Sequence, residues 1–569
     1  MLSKRFLPKQ TFMLFFWGLT FQLAFAELPS VPVPGENPIT DEKRVLGKIL
    51  FWDEQLSSDD TVACGSCHII STGGSDPRVA VHPGPDMVFG TADDTLGSPG
   101  IISLDQNRVP LDDPSFGYLR QVTSRASPGI TMSMFAEDLF WDGRASTTFS
   151  DPLNGEILIS SGGALESQAV GPILSNVEMA KAGRTWADVT EKLAVVVPLQ
   201  LARNIPPDMA RALEISPAYP DLFTKAFGNP EITPARIGMA IATYERTLVP
   251  DQTPWDLFMA GDESAMTQSQ IDGWNSFSES TVCDNCHVPP EFTDHMYYNI
   301  GLRPAEEDIG REAVSGNAQD RGRFKTPTLR NVGLKQSLMH VGWITDTQDA
   351  IDFYNANSDM ENGLDNPHVQ FLEFQTDIPT NIPGRTVEYS TLSMFSNADN
   401  PERGKDRQQQ VADFIGNALT DPRVAAEMFP FDRPTLSGEL ALLQIPGSSM
   451  GGAWINPNDE GEGWFIEITS NNQAVVSWYS YDQDGQQIWL IGLGTIGENS
   501  IQIEEMLITD GGVFAVPSSA SDVDVEVWGS LQIEFSTCNN ATISYQSEFI
   551  SGSQNVIRLT TLESLRCAS

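Results

Sequence analysis

The chain is poor in the residues that most often carry catalysis, with six cysteines and six histidines among 569 residues. Cations are also scarce, since 34 Lys and Arg face 76 Asp and Glu and leave a formal charge of −42. So acidic a protein is a poor partner for nucleic acid or an anionic membrane surface. It could steer a basic partner, but solubility alone is the simpler account of the acidity. Long apolar runs are nearly absent. The one that stands out, Thr11 to Leu23, follows Lys4, Arg5 and Lys9 and precedes Ala24-Phe25-Ala26, the pattern of an export signal with a small-residue cleavage site. Cleavage would start the mature chain near Glu27. The run is short for a bilayer span of roughly 20 residues, and no later stretch is long enough, so no membrane anchor is expected after cleavage and a periplasmic or secreted location follows.

The six cysteines divide cleanly. Four lie in Cys64-Gly65-Ser66-Cys67-His68 and Cys283-Asp284-Asn285-Cys286-His287. In this spacing two thiols can form thioethers with haem vinyl groups while the adjacent histidine supplies a nitrogen to iron. A lone Cys-x-x-Cys would also suit a redox pair or half a zinc site, but the following histidine, the second copy and the export signal argue against both. Two covalently bound haem c groups are therefore the expected cofactors. Cys538 and Cys567, near the C-terminus, are free to form a disulfide in an exported chain, and no thiol remains for cysteine catalysis. With His68 and His287 assigned, only His82, His295, His340 and His368 are left as candidate further ligands.

The two motifs lie too far apart for a solenoid repeat and suit two tandem domains. The expected order is a signal peptide over 1–26, an N-terminal haem domain over 27–195, a C-terminal haem domain over 196–435, a linker over 436–446 and a β-rich domain over 447–569. Asp41 to Phe51 reads as an amphipathic helix, and Arg407 to Leu419 as the last helix before Pro422. Thr233 caps a helix with Pro234 at its first position, whose stripe of Ile237, Ala240, Ile241, Tyr244 and Leu248 reads as core. Residues 83–127, rich in Gly, Pro and Asp, read as a long loop insertion. Its Asp86, Asp93 and Asp94 offer calcium ligands without the full spacing of a calcium loop. Beyond Gly447, the runs Gly463 to Thr469, Ala474 to Tyr481 and Gln487 to Leu493, with a turn at Asp482-Gln483-Asp484-Gly485, predict a small all-β barrel or sandwich. Its Trp464, Trp478, Tyr479 and Trp489 suit core packing better than a binding face.

Several further stretches carry a resemblance. They are Leu46-Gly47-Lys48-Ile49-Leu50-Phe51, Thr72-Gly73-Gly74, Phe140-Trp141-Asp142-Gly143-Arg144, Gly171-Pro172-Ile173-Leu174-Ser175-Asn176-Val177-Glu178-Met179 and Phe324-Lys325-Thr326-Pro327-Thr328-Leu329-Arg330-Asn331-Val332. In order and content these resemble the bacterial di-haem cytochrome c peroxidase and MauG superfamily over residues 30–435. The resemblance implies a mainly α fold of two tandem cytochrome c-like haem domains, with hydrogen peroxide met at the His68 haem. It implies an acid-base role for Glu178, a polar hold on peroxide by Gln168, and an electron bridge at Trp141, which on its own would read as a core residue. At the His287 haem, where the peroxidases use Met, it places the second ligand on Tyr354, as in MauG; Met339 competes, although its turn Leu338-Met339-His340 matches a segment that does not supply the ligand. It also offers His82 as a movable ligand of the first haem, against the simpler reading of a loop histidine. The family's interdomain calcium site meets Ala126 and Lys335-Gln336-Ser337 here, which weighs against calcium. The implied activity is peroxide reduction with electrons from a small cytochrome c or copper protein. The alternatives are a MauG-like oxidase that uses high-valent iron on Trp or Tyr of a partner protein, a non-catalytic electron-transfer cytochrome, and oxygen-dependent cleavage of a hydrophobic polymer. The β-rich domain lies outside the resemblance.

Overall fold

The computed structural model describes residues 27–279, 283–300, 302–355, 401–439, 450–457, 461–469, 473–481, 485–497, 499–510, 523–537 and 540–559. The signal segment 1–26, most of the expected linker, Cys538 and Cys567 lie outside the described residues. The chain divides into two compact units, Met1–Pro434 and Thr435–Ser569. Among the described residues no helix is long and apolar enough to cross a membrane.

The first unit is mainly helical. Helix α1 (Asp41–Trp52) begins where Thr40 accepts a hydrogen bond from Lys43 N–H, with Asp41 and Glu42 in the first turn facing the positive helix end. Its Leu46, Ile49, Leu50, Phe51 and Trp52 are buried. Helix α2 is the four-residue Cys64–Cys67, and α3 is Ala164–Ala169. Helix α4 (Pro234–Glu245) starts as its sequence predicts, with Thr233 accepting from Arg236 N–H and proline at the first position.

The stripe of Ile237, Ala240, Ile241, Tyr244 and Leu248 is buried, but against elements of the first half of the chain. A Cβ on Gly47 would stand 1.8 Å from the Ala240 carbonyl oxygen, so α1 and α4 cross backbone to backbone. Trp52 Nε1 donates to Tyr244 at 3.1 Å. Arg246 binds both oxygens of Glu166, a residue of α3, at 2.7 and 2.8 Å with both side chains buried. The helix expected beyond residue 195 is thus bound to the elements around the first motif.

Residues 83–127 are more ordered than their composition predicts. Ala80–His82 pairs with Thr95–Gly97, and Pro99–Ile102 with Arg120–Val122, both antiparallel. These strands are too short to show a period-2 pattern, and their partners lie many residues away.

Around the second motif, α5 (Gln268–Glu279), α6 (Thr347–Asn355) and α7 (Pro401–Asp413), the last running into a π-helical turn at Phe414–Ala418, surround a core of Trp255, Phe277, Phe292, Val411 and Phe414. The fully buried Arg330 is neutralised there by Asp256, at 2.7 and 2.8 Å.

The second unit is a closed antiparallel barrel. Its eight strands are β1 (Gly452–Ile455), β2 (Gly463–Ile468), β3 (Gln473–Tyr481), β4 (Gln487–Ile496), β5 (Ser500–Asp510), β6 (Asp524–Thr537), β7 (Asn540–Ser547) and β8 (Ser551–Arg558). Each pairs with the next, and β8 closes on β1 through Ile557 opposite Ile455 and Arg558 opposite Trp454. Alternation sends Trp464 and Trp478 inward as a stacked cross-strand pair and leaves Phe465, Tyr479 and Trp489 exposed. Of the four aromatics expected in the core, two are therefore inside and two outside.

Gly47→Val forces α1 and α4 apart. We expect it to cost about 1–3 kcal/mol or more, seen as a lower thermal midpoint of the purified protein, and an unchanged midpoint would show that the crossing tolerates a side chain.

Candidate active site

Helix α2 sets the first motif at the wall of a cavity of about 460 Å³, lined by Cys64, Cys67 and His68. The flanking Gly65, Ser66, Ile69 and Ile70 are buried, whereas Cys64, Cys67 and His68 are only half-buried because they face this space. The left-handed Gly73 and Gly74 turn the chain back, so that His68 Nδ1–H donates to the Gly74 carbonyl at 2.9 Å. That bond fixes the tautomer with the lone pair on Nε2. Burial favours the neutral imidazole by lowering its pKa, and burial pushes the Cys64 thiol up to about 12.

The second motif repeats the arrangement. His287 Nδ1–H donates to the Phe292 carbonyl at 3.1 Å, and with Cys283 and Cys286 it lines a cavity of about 170 Å³. None of the four cysteines is in a disulfide. Paired thiols beside an oriented imidazole, on a mostly apolar cavity, are the donor set a covalently held haem requires, so both sites fit the group.

The structure brings the predicted peroxide-handling residues together. Gln168 and Glu178 line the first cavity, Gln168 from α3 and Glu178 from the turn after Pro172–Leu174, where its N–H donates to the Ser175 carbonyl at 3.2 Å. Gly100 lets the Pro99–Ile102 strand press on that turn, since a Cβ there would stand 1.9 Å from the Val177 carbonyl oxygen. Burial raises the Glu178 pKa, while its hydrogen bond with Ser175 and the charge of Arg144 oppose the shift.

Two charged residues on the same walls escaped the sequence reading as functional groups. Arg144 lies over the Phe140 ring at 3.6 Å and pairs with Asp142 at 3.1 Å. Glu245 is buried, with Oε2 unpaired, and burial raises its pKa to about 8. Its spacing was the available signal: Ile241 and Glu245 share a helix face as i and i+4, and both reach the cavity.

Trp141 lines both cavities. Its Nε1–H donates to the Ala126 carbonyl at 2.8 Å, and its ring meets His340 edge to face at 6.2 Å. His340 in turn stacks on Phe324 at 3.6 Å. Tyr354 and Met339 both line the second cavity, so position alone favours neither. His82 lies elsewhere, in a cavity of about 240 Å³ with Arg303, Glu307, Asp308 and His340, where its Nδ1 accepts from Gly84 N–H at 3.1 Å. The Asp86, Asp93 and Asp94 carboxylates cap N–H groups of their own loop, and among the described residues no cluster of His, Cys, Asp and Glu is arranged for a metal ion.

Two motif-lined cavities that share a tryptophan wall, one of them carrying a carboxyl and an amide, define a two-haem oxidoreductase. A family model described as di-haem cytochrome c peroxidase matches residues 41–264. The methylamine utilization protein MauG of Methylophilus methylotrophus is 30% identical over 336 residues, covering 59% of this chain and 78% of that protein. MauG of Methylorubrum extorquens is 31% identical over 333 residues (58% and 73%), and the cytochrome c551 peroxidase of Nitrosomonas europaea is 28% identical over 331 (58% and 77%). The chain belongs to the di-haem cytochrome c peroxidase and MauG family, and is an oxidoreductase of that type.

Glu245 gives a pH test of this wall. Its folded-state pKa of about 8 lies above the ordinary carboxyl value of about 4.3. The stability of the protonated folded form is therefore complete below the lower value and lost as pH rises through the higher, by about 1.4 kcal/mol per pH unit between them. We expect the stability of Glu245→Gln relative to wild type to grow from pH 5 to pH 8 in thermal melts, and a difference independent of pH would contradict the assignment.

Proposed function

We propose that this chain reduces hydrogen peroxide to water at the His68 cavity, with electrons that enter through the His287 cavity and cross at Trp141. The observation that carries the reading is the lining of the larger cavity by His68, Gln168 and Glu178, with Trp141 in the wall it shares with the second. We further propose thioether attachment of haem c through Cys64 and Cys67 and through Cys283 and Cys286, in two tandem cytochrome c-like halves. The first half includes α4, because Ile241 and Glu245 line its cavity. Export to the periplasm and a small cytochrome c or copper protein as donor complete the proposal; the acidic surface suits a basic donor.

When bound, haem supplies the iron redox chemistry. The chain supplies the remainder. Gln168 hydrogen-bonds peroxide in the cavity. Glu178, whose pKa is raised by burial, takes the proton from one peroxide oxygen and returns it to the other, so that the O–O bond breaks with water leaving. Two electrons and two further protons bring the products to two waters. Tyr354 is proposed as the second ligand of the His287 haem, and His82, at the end of the strand Ala80–His82 and lining another cavity, as a residue with no ligand role.

Glu178→Gln keeps the shape and removes the acid-base function. We expect kcat/KM for peroxide to fall by about 10²–10⁴-fold with two haems still bound, and unchanged turnover would remove Glu178 from the mechanism. Tyr354 favours a second reading, a MauG-like oxidase that draws electrons from Trp or Tyr of a partner protein. Steady-state peroxide turnover with reduced cytochrome c separates the readings: sustained oxidation of cytochrome c supports the peroxidase, whereas a spectral response to peroxide with negligible oxidation of cytochrome c supports the oxidase. Electron paramagnetic resonance of Tyr354→Met and Met339→Leu assigns the ligand. The signal of the His287 haem should change in the first variant only, and the converse would assign Met339.

A further inference from the structure

Lys335 follows the short turn Val332–Leu334 and lines both haem cavities. Its side chain is pressed between two glycines of the first half. A Cβ on Gly73 would come within 3.1 Å of Lys335 Cγ, and a Cβ on Gly129 within 3.0 Å of both Cε and Nζ. Gly73 adjoins Gly74, whose carbonyl holds His68, so the ammonium lies against the loop that orients the first proximal histidine. Its charge is felt at His68, where it disfavours protonation of the imidazole.

Of the other half-buried or buried lysines, Lys48 has Asp208 and Asp432, Lys192 has Asp60 and Lys325 has Asp138, whereas Lys43 and Lys181 donate to neutral oxygens of Asn37, Pro38 and Gln106. Among the described residues no carboxylate oxygen lies within 4.0 Å of Lys335 Nζ. Burial lowers its pKa only to about 8, so the cation predominates at neutral pH. In a chain with 76 acidic residues, a cation placed without an acidic partner between two redox sites calls for an explanation, because an unpaired enclosed charge destabilises the fold.

We propose that Lys335 is a positioning residue for electron transfer, its ammonium acting on both haem pockets and favouring the electron-rich form of each. The inference rests on the two-haem reading of the cavities. Coulomb interaction falls only as the inverse of distance in a weakly screening interior, so one cation in the shared wall acts on both sites, whereas a surface lysine acts on neither.

The test is a spectroelectrochemical titration of the haem-loaded full-length protein as wild type, Lys335→Met and Lys335→Arg. Methionine keeps an unbranched stem and removes the charge, and arginine keeps the charge. We expect both midpoint potentials to move negative together in Lys335→Met and to stay close to wild type in Lys335→Arg. Unchanged potentials in Lys335→Met, or an equal fall in Lys335→Arg, would overturn the proposal and leave Lys335 a spacer. If Lys335→Met does not load two haems, Lys335→Gln carries the same comparison. The haem content of the wild type separates the two failures, because fewer than two haems per chain would refute the reading of the cavities before any variant is compared.

Discussion

The arrangement of this protein depends on one hydrogen bond, from the indole of Trp141 to the Ala126 carbonyl at 2.8 Å. The bond satisfies the only polar atom of a buried ring and holds that ring in the wall between the two cavities. The surroundings keep the wall rigid. Arg125, adjacent to Ala126, binds Asp142 at 2.6 Å and Asp308 at 2.6 and 2.7 Å, so one guanidinium joins the segment carrying Trp141 to a segment of the second half. Lys325 N–H donates to the Trp141 carbonyl at 2.8 Å, and its Nζ pairs with Asp138 at 2.7 Å. A ring held from both sides stays in one orientation, as the proposed passage of charge through it requires.

The two sites are built alike and lined differently. Each histidine is oriented by a backbone carbonyl and kept neutral by burial, which is what an iron ligand needs. They differ in what else reaches the cavity. The first receives Gln168, Glu178 and Glu245, groups that can hold or exchange protons. The second receives Tyr354 and Met339, which can bind iron but suit proton delivery to peroxide poorly. The inequality of the pair therefore lies in residues distant in sequence from either motif.

Much of this was legible in the sequence wherever the signal is local. Cys-x-x-Cys-His needs only its own spacing, and the start of α4 was readable from Thr233 and Pro234. What was not legible depends on long-range contacts. The packing of α4 on α1 depends on the close approach at Gly47 and on the Glu166–Arg246 pair, and neither partner reveals the other in the chain. The strands within 83–127 are too short for periodicity to announce them. In the C-terminal unit, alternation separated inward from outward residues only in part. Barrel closure by β8 on β1 leaves no mark in either strand. Glu245 lies outside the apolar stripe of α4, and nothing in a single sequence says that this helix borders a cavity.

The central claim is that electrons cross at Trp141, and it is tested most directly by rapid mixing of peroxide with the reduced two-haem protein and its Trp141→Phe variant, following the absorption of the His287 haem. Phenylalanine keeps the apolar wall but is far harder to oxidise. The account predicts that oxidation of the His287 haem slows by more than about tenfold, a barrier increase of roughly 1.4 kcal/mol, with both haems retained and both resting spectra unchanged. An unchanged rate in a variant that retains both haems would show that charge crosses elsewhere.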